Sequence, residues 1–365
     1  MSDSETIVFT RGVPAPESFP LDRIADAASA VIRAHGQETM QYTKSYGMLP
    51  LRQALADKYG VTPEQVLVSN GSLQIVDHLG HVLLGEGRVI FTESPTYDRT
   101  LTLARRHKAT VVGIPLQADG PDIDALEAAL ERHTPRLFYV IPDFQNPSGA
   151  TASLAKRERL VELARQHDFW LLEDAPYRPL RYRGEQLPSL YDLAPDRTLH
   201  MSSFTKQISP GVRVGYVVGE VEPLKWLAKV AEDTYITPNL VGEGIVYEFI
   251  RRGWLEEQLD ALRELYRPRL EAISSALRTH LPDAEWIEPD GGFFLSVTLP
   301  EGVTSGALIA AAAERGLVLS DGRGFFPTPS EGERFLRLPF CALTEAELEE
   351  GVRRLADTVK ALADA

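Results

Sequence analysis

Between about residues 51 and 250, short apolar runs alternate with helical patterns, and this alternation restricts the fold more than any other feature of the chain. The runs are Val89-Ile90-Phe91, Thr110 to Ile114, Leu137 to Ile141, Trp170-Leu171-Leu172, Leu199-His200-Met201 and Val214 to Val218. Each is bounded by glycine, proline or acidic residues. Leu154 to His167 represents the helices between them, with Leu160, Val161, Leu163 and Ala164 on one face. Strands this short and apolar are buried on both faces, and an intervening helix makes neighbouring strands parallel. The expected fold class is α/β: a mostly parallel central sheet in a large domain, with helices on both sides.

The pattern changes near residue 254. Leu255, Leu259, Leu262, Tyr266, Leu270, Ile273, Leu277 and Leu281 step by three or four, which predicts one long amphipathic helix kinked at Pro268. This helix is expected to carry the chain out of the large domain. Beyond it come a strand (Phe293 to Leu299), a helix (Ser305 to Arg315), strands at Leu317 to Leu319 and Phe335 to Leu338, and a helix over 345–363. Thr344 and Glu347 form a capping box at the start of the last helix. The run reads as a smaller α+β domain. Before residue 51 the chain is rich in Gly and Pro, with one short helical stretch near Leu21 to Arg33. The 365 residues suit about two domains at ~150 residues each. The expected boundaries are an N-terminal segment 1–45, a large domain 46–270 and a small domain 271–365.

Charge and cysteine content exclude several functions. Lys and Arg number 38 against 52 Asp and Glu, a formal charge of −14 that repels nucleic acid and anionic membrane. The short run Arg105-Arg106-His107-Lys108 reads as the polar side of a helix. The lone Cys341 can form neither an internal disulfide nor a paired-cysteine metal site, and is expected to be a buried thiol. The start, MSDSETIVFTRG, lacks the basic run and apolar core of a signal peptide. No stretch approaches the ~18 apolar residues of a membrane span, and Ala310-Ala311-Ala312-Ala313 is too short. The expectation is a cytoplasmic protein with no nucleic-acid, membrane or metal partner.

The most informative motif is Ser202-Ser203-Phe204-Thr205-Lys206-Gln207-Ile208-Ser209-Pro210-Gly211-Val212-Arg213-Val214-Gly215. A lysine at a strand end, beside hydroxyls and an arginine, suits an anion clamp or a Schiff-base nucleophile. Desolvation and a neighbouring cation free its lone pair. In isolation, Lys near Arg is ordinarily a solvated surface pair; the Gly, Pro and hydroxyl context argues otherwise.

This motif resembles the lysine signature of fold-type I pyridoxal-5′-phosphate (PLP) enzymes. It is most similar to class I/II aminotransferases, in the branch of 2-aminoadipate and kynurenine aminotransferases. The resemblance covers the chain from Phe9 to the C-terminal helix. It implies that Lys206 holds PLP as an internal aldimine, with Ser203 and Arg213 on the phosphate. A guanidinium fork suits a dianionic phosphate better than an ammonium does.

Further motifs follow in the order the resemblance implies. Glu173-Asp174-Ala175-Pro176-Tyr177 follows a strand; alone, such an Asp is usually a helix cap. The resemblance gives Asp174 the pyridine nitrogen, keeping the ring an electron sink, and Tyr177 the ring's 3′-oxygen. Asn146, in Asp143-Phe144-Gln145-Asn146-Pro147-Ser148-Gly149, is otherwise a plain turn residue; it would share the 3′-oxygen and lie near substrate. Asn70-Gly71-Ser72-Leu73-Gln74 precedes a helix beginning near Gln74, whose N-terminus suits phosphate. Gly71, Ser72 and Leu73 are thus cofactor candidates. The family usually has a polar residue where Leu73 stands, so Leu73 would contribute its backbone N–H. Tyr97, in Ser94-Pro95-Thr96-Tyr97, matches the aromatic that stacks on the ring. In an open α/β sheet such sites gather at the strands' carboxyl ends.

Other segments bear on substrate and assembly. Gln41-Tyr42 with Tyr46-Gly47-x-x-x-Leu51-Arg52 resembles the family segment whose tyrosine reaches the neighbouring subunit's phosphate. Tyr42 would do so here, implying a homodimer and giving residues 1–45 a role in the substrate site and dimer. Arg337, in Phe335-Leu336-Arg337-Leu338-Pro339-Phe340, resembles the arginine that grips the substrate α-carboxylate. Gly12-Val13-Pro14-Ala15-Pro16-Glu17-Ser18-Phe19-Pro20 resembles the segment lining the substrate, so Gly12 is a candidate. The resemblance leads one to expect a helix before this segment, for which the eleven residues ahead of Gly12 are too few, and Arg11 stands where many relatives have a small residue. If Arg11 points inward, it would read an acidic side chain such as that of glutamate or 2-aminoadipate.

The implied activity is amino-group transfer between an L-amino acid and a 2-oxo acid, with Lys206, Asp174 and Tyr177 as the catalytic group. Alternatives are other PLP chemistry on the same scaffold: elimination, racemisation, decarboxylation or oxidation. A transcriptional regulator using this fold as a sensor is disfavoured by the charge and by the lack of a helix-turn-helix pattern before Tyr42. A cofactor-free relative is disfavoured by the joint presence of Lys206, Asp174 and Arg213.

Overall fold

A computed structural model describes residues 6–10 and 12–364. Eight strands form the central sheet, in the order Val66–Ser69, Gly215–Val218, Thr198–Ser203, Trp170–Asp174, Pro135–Val140, Val89–Ser94, Thr110–Gln117 and Gly120–Pro121. The five from Thr198–Ser203 to Thr110–Gln117 run parallel. Gly215–Val218 is antiparallel to both of its neighbours. A parallel crossover needs roughly a dozen residues or more, usually with a helix. The tight connection from Ser203 to Gly215 holds only a single 3-10 turn, so the chain reverses there. That reversal carries Lys206 and Arg213.

Side chains alternate across the sheet as the two-residue period requires. Leu137, Tyr139, Ile141 and Leu172 pack with Ile75, Leu79 and Leu224 on one face. Phe138, Val140 and Leu171 pack with Leu126, Leu160 and Val161 on the other. Helices Ser72–Leu83, Asp98–Arg106 and Val221–Thr234 cover the first face, and Ile123–Leu130 and Leu154–Gln166 the second.

All six apolar runs are strands. Sequence reading missed Ile7–Phe9, Val66–Ser69, Gly120–Pro121 and Glu285–Trp286, which are two to four residues long and too short to show a period. The first helix, Leu21–Thr39, outruns the expected stretch and turns through a non-helical residue, His35. Its last turn has no apolar stripe, but Thr39 is buried and donates from Oγ1 to His35 O at 2.9 Å.

The long helix Trp254–His280 continues through Pro268. It packs with the C-terminal helix Glu345–Ala363, whose capping box at Thr344 and Glu347 is present, over a three-stranded antiparallel sheet of Glu285–Trp286, Phe294–Thr298 and Phe335–Pro339. Ile7–Phe9 pairs in parallel with Leu317–Leu319. Residues 7–9 are thereby tied to the last quarter of the sequence, bringing Thr10, Gly12 and Val13 beside the large sheet's strand ends. Cys341 is fully buried, and burial pushes its thiol up to about 12. No helix among the described residues is long and apolar enough to cross a membrane.

Candidate active site

The parallel strands ending at Ser94, Val140, Asp174 and Ser203 open onto one pocket of about 530 Å³. It is lined by Gly71, Ser72, Leu73, Tyr97, Asn146 and Asp174. Tyr177, Ser203, Lys206, Arg213, Gly12 and Arg337 complete the set of sequence-derived candidates that meet there. Tyr42 does not: it is 76% exposed on the surface of the chain. Arg11 lies outside the described residues, although Thr10 and Gly12 on either side of it both line the pocket.

Lys206 donates from Nζ to Gly12 O at 2.8 Å, and the ring of Phe293 lies 5.5 Å from the ammonium. Burial lowers its pKa, opposed by the Cys341 thiol and assisted by the Arg337 charge. Among the described residues no carboxylate holds the ammonium charged, so a neutral, nucleophilic amine is within reach.

Asp174 is buried at the end of its strand, and burial pushes its carboxyl up to about 6. Tyr139 and Asp174 fall on the same sheet face, and the Tyr139 hydroxyl donates to Asp174 Oδ2 at 2.5 Å. Oδ1 has no partner among the described residues. An unpaired, desolvated carboxylate oxygen is costly unless something donates to it. A cationic N–H donor from a ligand would answer both demands.

The anion-binding end is built from two close approaches. Helix Ser72–Leu83 begins at Gly71, which offers no side-chain cap. A Cβ on Gly71 would lie 2.3 Å from Arg213 Nη2, and one on Gly215 would lie 2.3 Å from the Ser72 amide nitrogen. Both glycines are therefore required where the arginine and the reversal meet the helix N-terminus. Arg213 adopts a left-handed backbone (φ 51°) and donates from Nη2 to Asn70 O at 2.9 Å, its one side-chain hydrogen bond among the described residues. Its remaining donors and the Ser72 end of the helix face a common space suited to a phosphate. Ser203 Oγ accepts from Thr205 N at 3.1 Å and donates to Thr205 Oγ1 at 2.8 Å.

On the opposite wall, Arg337 donates from Nη1 to Asn146 Oδ1 at 3.0 Å and from Nη2 to Thr10 O at 2.7 Å. Its guanidinium sits 4.8 Å from the Phe294 ring and 4.5 Å from the Phe325 ring. Nε is buried without a partner among the described residues. Burial lowers its pKa, but a guanidinium stays charged. A planar cation between two rings is set to accept a carboxylate.

Several contributors escaped sequence reading. Tyr139 read as core, because its partner lies on the neighbouring strand. Thr10, Asp98, Arg99, Ser320 and Phe325 line the pocket without any motif. Glu93 is fully buried, and Gln145 Nε2 donates to both Glu93 Oε2 (3.1 Å) and Pro95 O (2.8 Å). This bond ties the turn bearing Asn146 to the turn bearing Tyr97.

PLP brings a dianionic phosphate, an aromatic ring with a protonatable nitrogen, and an aldehyde that reacts with an amine. The pocket offers the free Arg213 donors at a helix N-terminus, the orphaned Asp174 Oδ1 and a desolvated lysine. The residues present fit that group.

Comparison with known proteins agrees. Residues 6–355 match the family described as aminotransferase class I and II. The chain is 35% identical to 2-aminoadipate transaminase of Thermus thermophilus over 359 residues, 97% of this chain and 90% of that one. The crystal structure of alpha-aminoadipate aminotransferase from Thermus thermophilus, complexed with N-(5′-phosphopyridoxyl)-L-leucine, superposes with a TM-score of 0.93 at 34% identity, covering 98% of this chain and 93% of that one. The kynurenine aminotransferase of Pyrococcus horikoshii superposes with a TM-score of 0.94 at 30% identity, covering 98% and 92%.

Proposed function

The chain belongs to the class I and II aminotransferases, PLP-dependent enzymes that move an amino group between an amino acid and a 2-oxo acid, and from that premise we propose how its own residues divide the work. One observation carries the reading: a desolvated lysine without a carboxylate partner and an orphaned carboxylate oxygen line the same pocket.

Gly71, Ser72, the Leu73 amide, Ser203 and Arg213 would hold the cofactor's phosphate. Tyr97 would pack on its ring, Asp174 would hold the ring nitrogen, and Asn146 and Tyr177 the 3′-oxygen. Once bound, the cofactor withdraws electrons from the substrate's α-carbon. Lys206 Nζ, as a neutral amine, takes the α-proton and returns it one position away, which is general base and then general acid work. Asp174 stays ionised through the hydrogen bond from Tyr139 and so keeps the ring nitrogen protonated. Arg337 holds the substrate α-carboxylate beside Gly12 and Asn146 and orients the α-hydrogen. The apolar walls from Phe294 and Phe325 exclude water from that carboxylate.

Arg11 is proposed to select a dicarboxylic donor, supported by the pocket positions of Thr10 and Gly12. The working unit is proposed to be a cytoplasmic homodimer, with Tyr42 reaching the partner's phosphate. Exposed Met40, Tyr42 and Ile236 support an interface: Thr43 N donates to Thr237 Oγ1 at 2.9 Å, so both apolar stretches share one surface. The segments 1–45, 46–270 and 271–365 remain the proposed division of labour. The test is amino transfer from glutamate, 2-aminoadipate or leucine to pyruvate or 2-oxoglutarate, by wild type and Lys206→Ala. Turnover by the variant at the wild-type rate would remove Lys206 from its role.

A further inference from the structure

The geometry points to a binding site for a divalent transition-metal ion of the zinc type, formed by Asp77, His81 and His107 outside the pocket. Asp77 and His81 stand one turn apart on helix Ser72–Leu83 and share a face. His107 follows the last turn of helix Asp98–Arg106. One ligand atom from each lies within 4.8 Å of the others. His107 Nε2 is 2.9 Å from Asp77 Oδ1, and His81 Nε2 is 4.0 Å from Asp77 Oδ2.

The longer distance is informative. At 4.0 Å, His81 and Asp77 are too far apart to hydrogen-bond. Two tetrahedral ligands of one zinc ion, each at ~2.0–2.2 Å, lie ~3.3–3.6 Å apart, so the half-exposed His81 side chain needs to move only a few tenths of an ångström to ligate beside Asp77. The two imidazoles meet edge to face with centroids 4.5 Å apart, converging on the same carboxylate. His107 is fixed in place: a Cβ on Gly80 would fall 2.2 Å from its Cδ2, so the ring lies directly on the helix backbone. Its side chain is 10% exposed, against 52% for His81, which leaves one open side for entry. Among the described residues the His81 ring has no hydrogen bond, and the His107 ring bonds only to Asp77. Two imidazoles and a carboxylate match the donor preference of Zn²⁺, with water completing the shell.

The site joins two helices whose opposite ends bring Ser72, Leu73 and Tyr97 to the pocket. Asp77 lies about 8 Å along the axis from Ser72, so the ion would brace these helices and take no part in the chemistry.

The test is calorimetric titration of PLP-loaded, metal-stripped enzyme with Zn²⁺ alone, and with Co²⁺ followed by its visible bands. One saturable equivalent per chain is expected, weakened at least ~10-fold in His81→Asn and in His107→Asn. His280→Asn, which removes the surface ring beside Glu349, should leave it unchanged. Because His81 is half exposed, His81→Asn keeps the test readable if His107→Asn misfolds. No saturable binding, or an equivalent that survives His81→Asn, would overturn the assignment.

Discussion

Tyr139 Oη and Asp174 Oδ2 lie 2.5 Å apart, and this bond directs the other carboxylate oxygen, Oδ1, toward an unmet need. The phenol favours the charged carboxylate and burial opposes it, leaving the group at about 6. In Tyr139→Phe the carboxyl should titrate higher still. A hydrogen bond to a charged group contributes ~1.5–3 kcal/mol, so PLP should bind roughly tenfold or more weakly near neutral pH. Titrating apoenzyme with PLP between pH 6 and 8 measures this; unchanged affinity would show that Tyr139 does not support Asp174. Asp174→Ala should damage kcat more than PLP retention.

Lys206→Ala should remain able to bind PLP through Arg213, Ser203 and the Ser72 helix end, while losing turnover. Removing a general base costs ~10²–10⁴-fold, and loss of the amine itself adds to that. Absorption spectra after dialysis, together with single-turnover assays, separate retention from chemistry.

Arg337→Ala should lower kcat/KM about 10- to 150-fold, the equivalent of ~1.5–3 kcal/mol for a charged hydrogen bond. The loss should be alike for dicarboxylic and neutral donors. Arg11→Ala should instead penalise glutamate or 2-aminoadipate while sparing leucine. Equal effects on both classes, or none, would leave Arg11 without a role in selection.

Glu93 supplies a pH dependence of stability. Burial pushes its carboxyl up to about 8 from the ordinary 4.5, against hydrogen bonds from Gln145 and Ile141. The folded state therefore holds a proton that the unfolded chain releases. That contribution is complete below pH 4.5 and is lost as pH rises to about 8. The slope is at most ~1.4 kcal/mol per pH unit. Glu93→Gln apoenzyme should match wild type in Tm at pH 5 and exceed it at pH 9. A constant difference across pH would mean that Glu93 is ionised in the fold.

Sedimentation should show a dimer, and Tyr42→Ala should release PLP faster without loss of secondary structure. A fully active monomer would refute the shared site.

Much of this architecture was legible because parallel strands buried on both faces leave an unmistakable apolar pattern, and because Lys206, Arg213 and their glycines sit within one short segment. Local order betrays such features. The Tyr139–Asp174 and Glu93–Gln145 bonds were invisible because each joins residues that meet only when strands are laid side by side. His107 illustrates the same limit: in the run Arg105 to Lys108 it reads as a solvated residue, yet Gly80 gives its ring a seat against another helix. The late turn of the first helix was missed because one buried threonine, rather than a stripe, anchors it.

The pairing of Ile7–Phe9 with Leu317–Leu319 has a consequence for biosynthesis. The wall that contributes Thr10 and Gly12 has no sheet partner until the ribosome has passed residue 319. Contacts this remote in sequence close slowly. The large sheet can form early, with Lys206 already displayed at its strand ends, but the chamber around it is completed only when Leu317–Leu319 arrives to pair with Ile7–Phe9. The strand ends that would hold the cofactor therefore precede the substrate wall in the order of assembly.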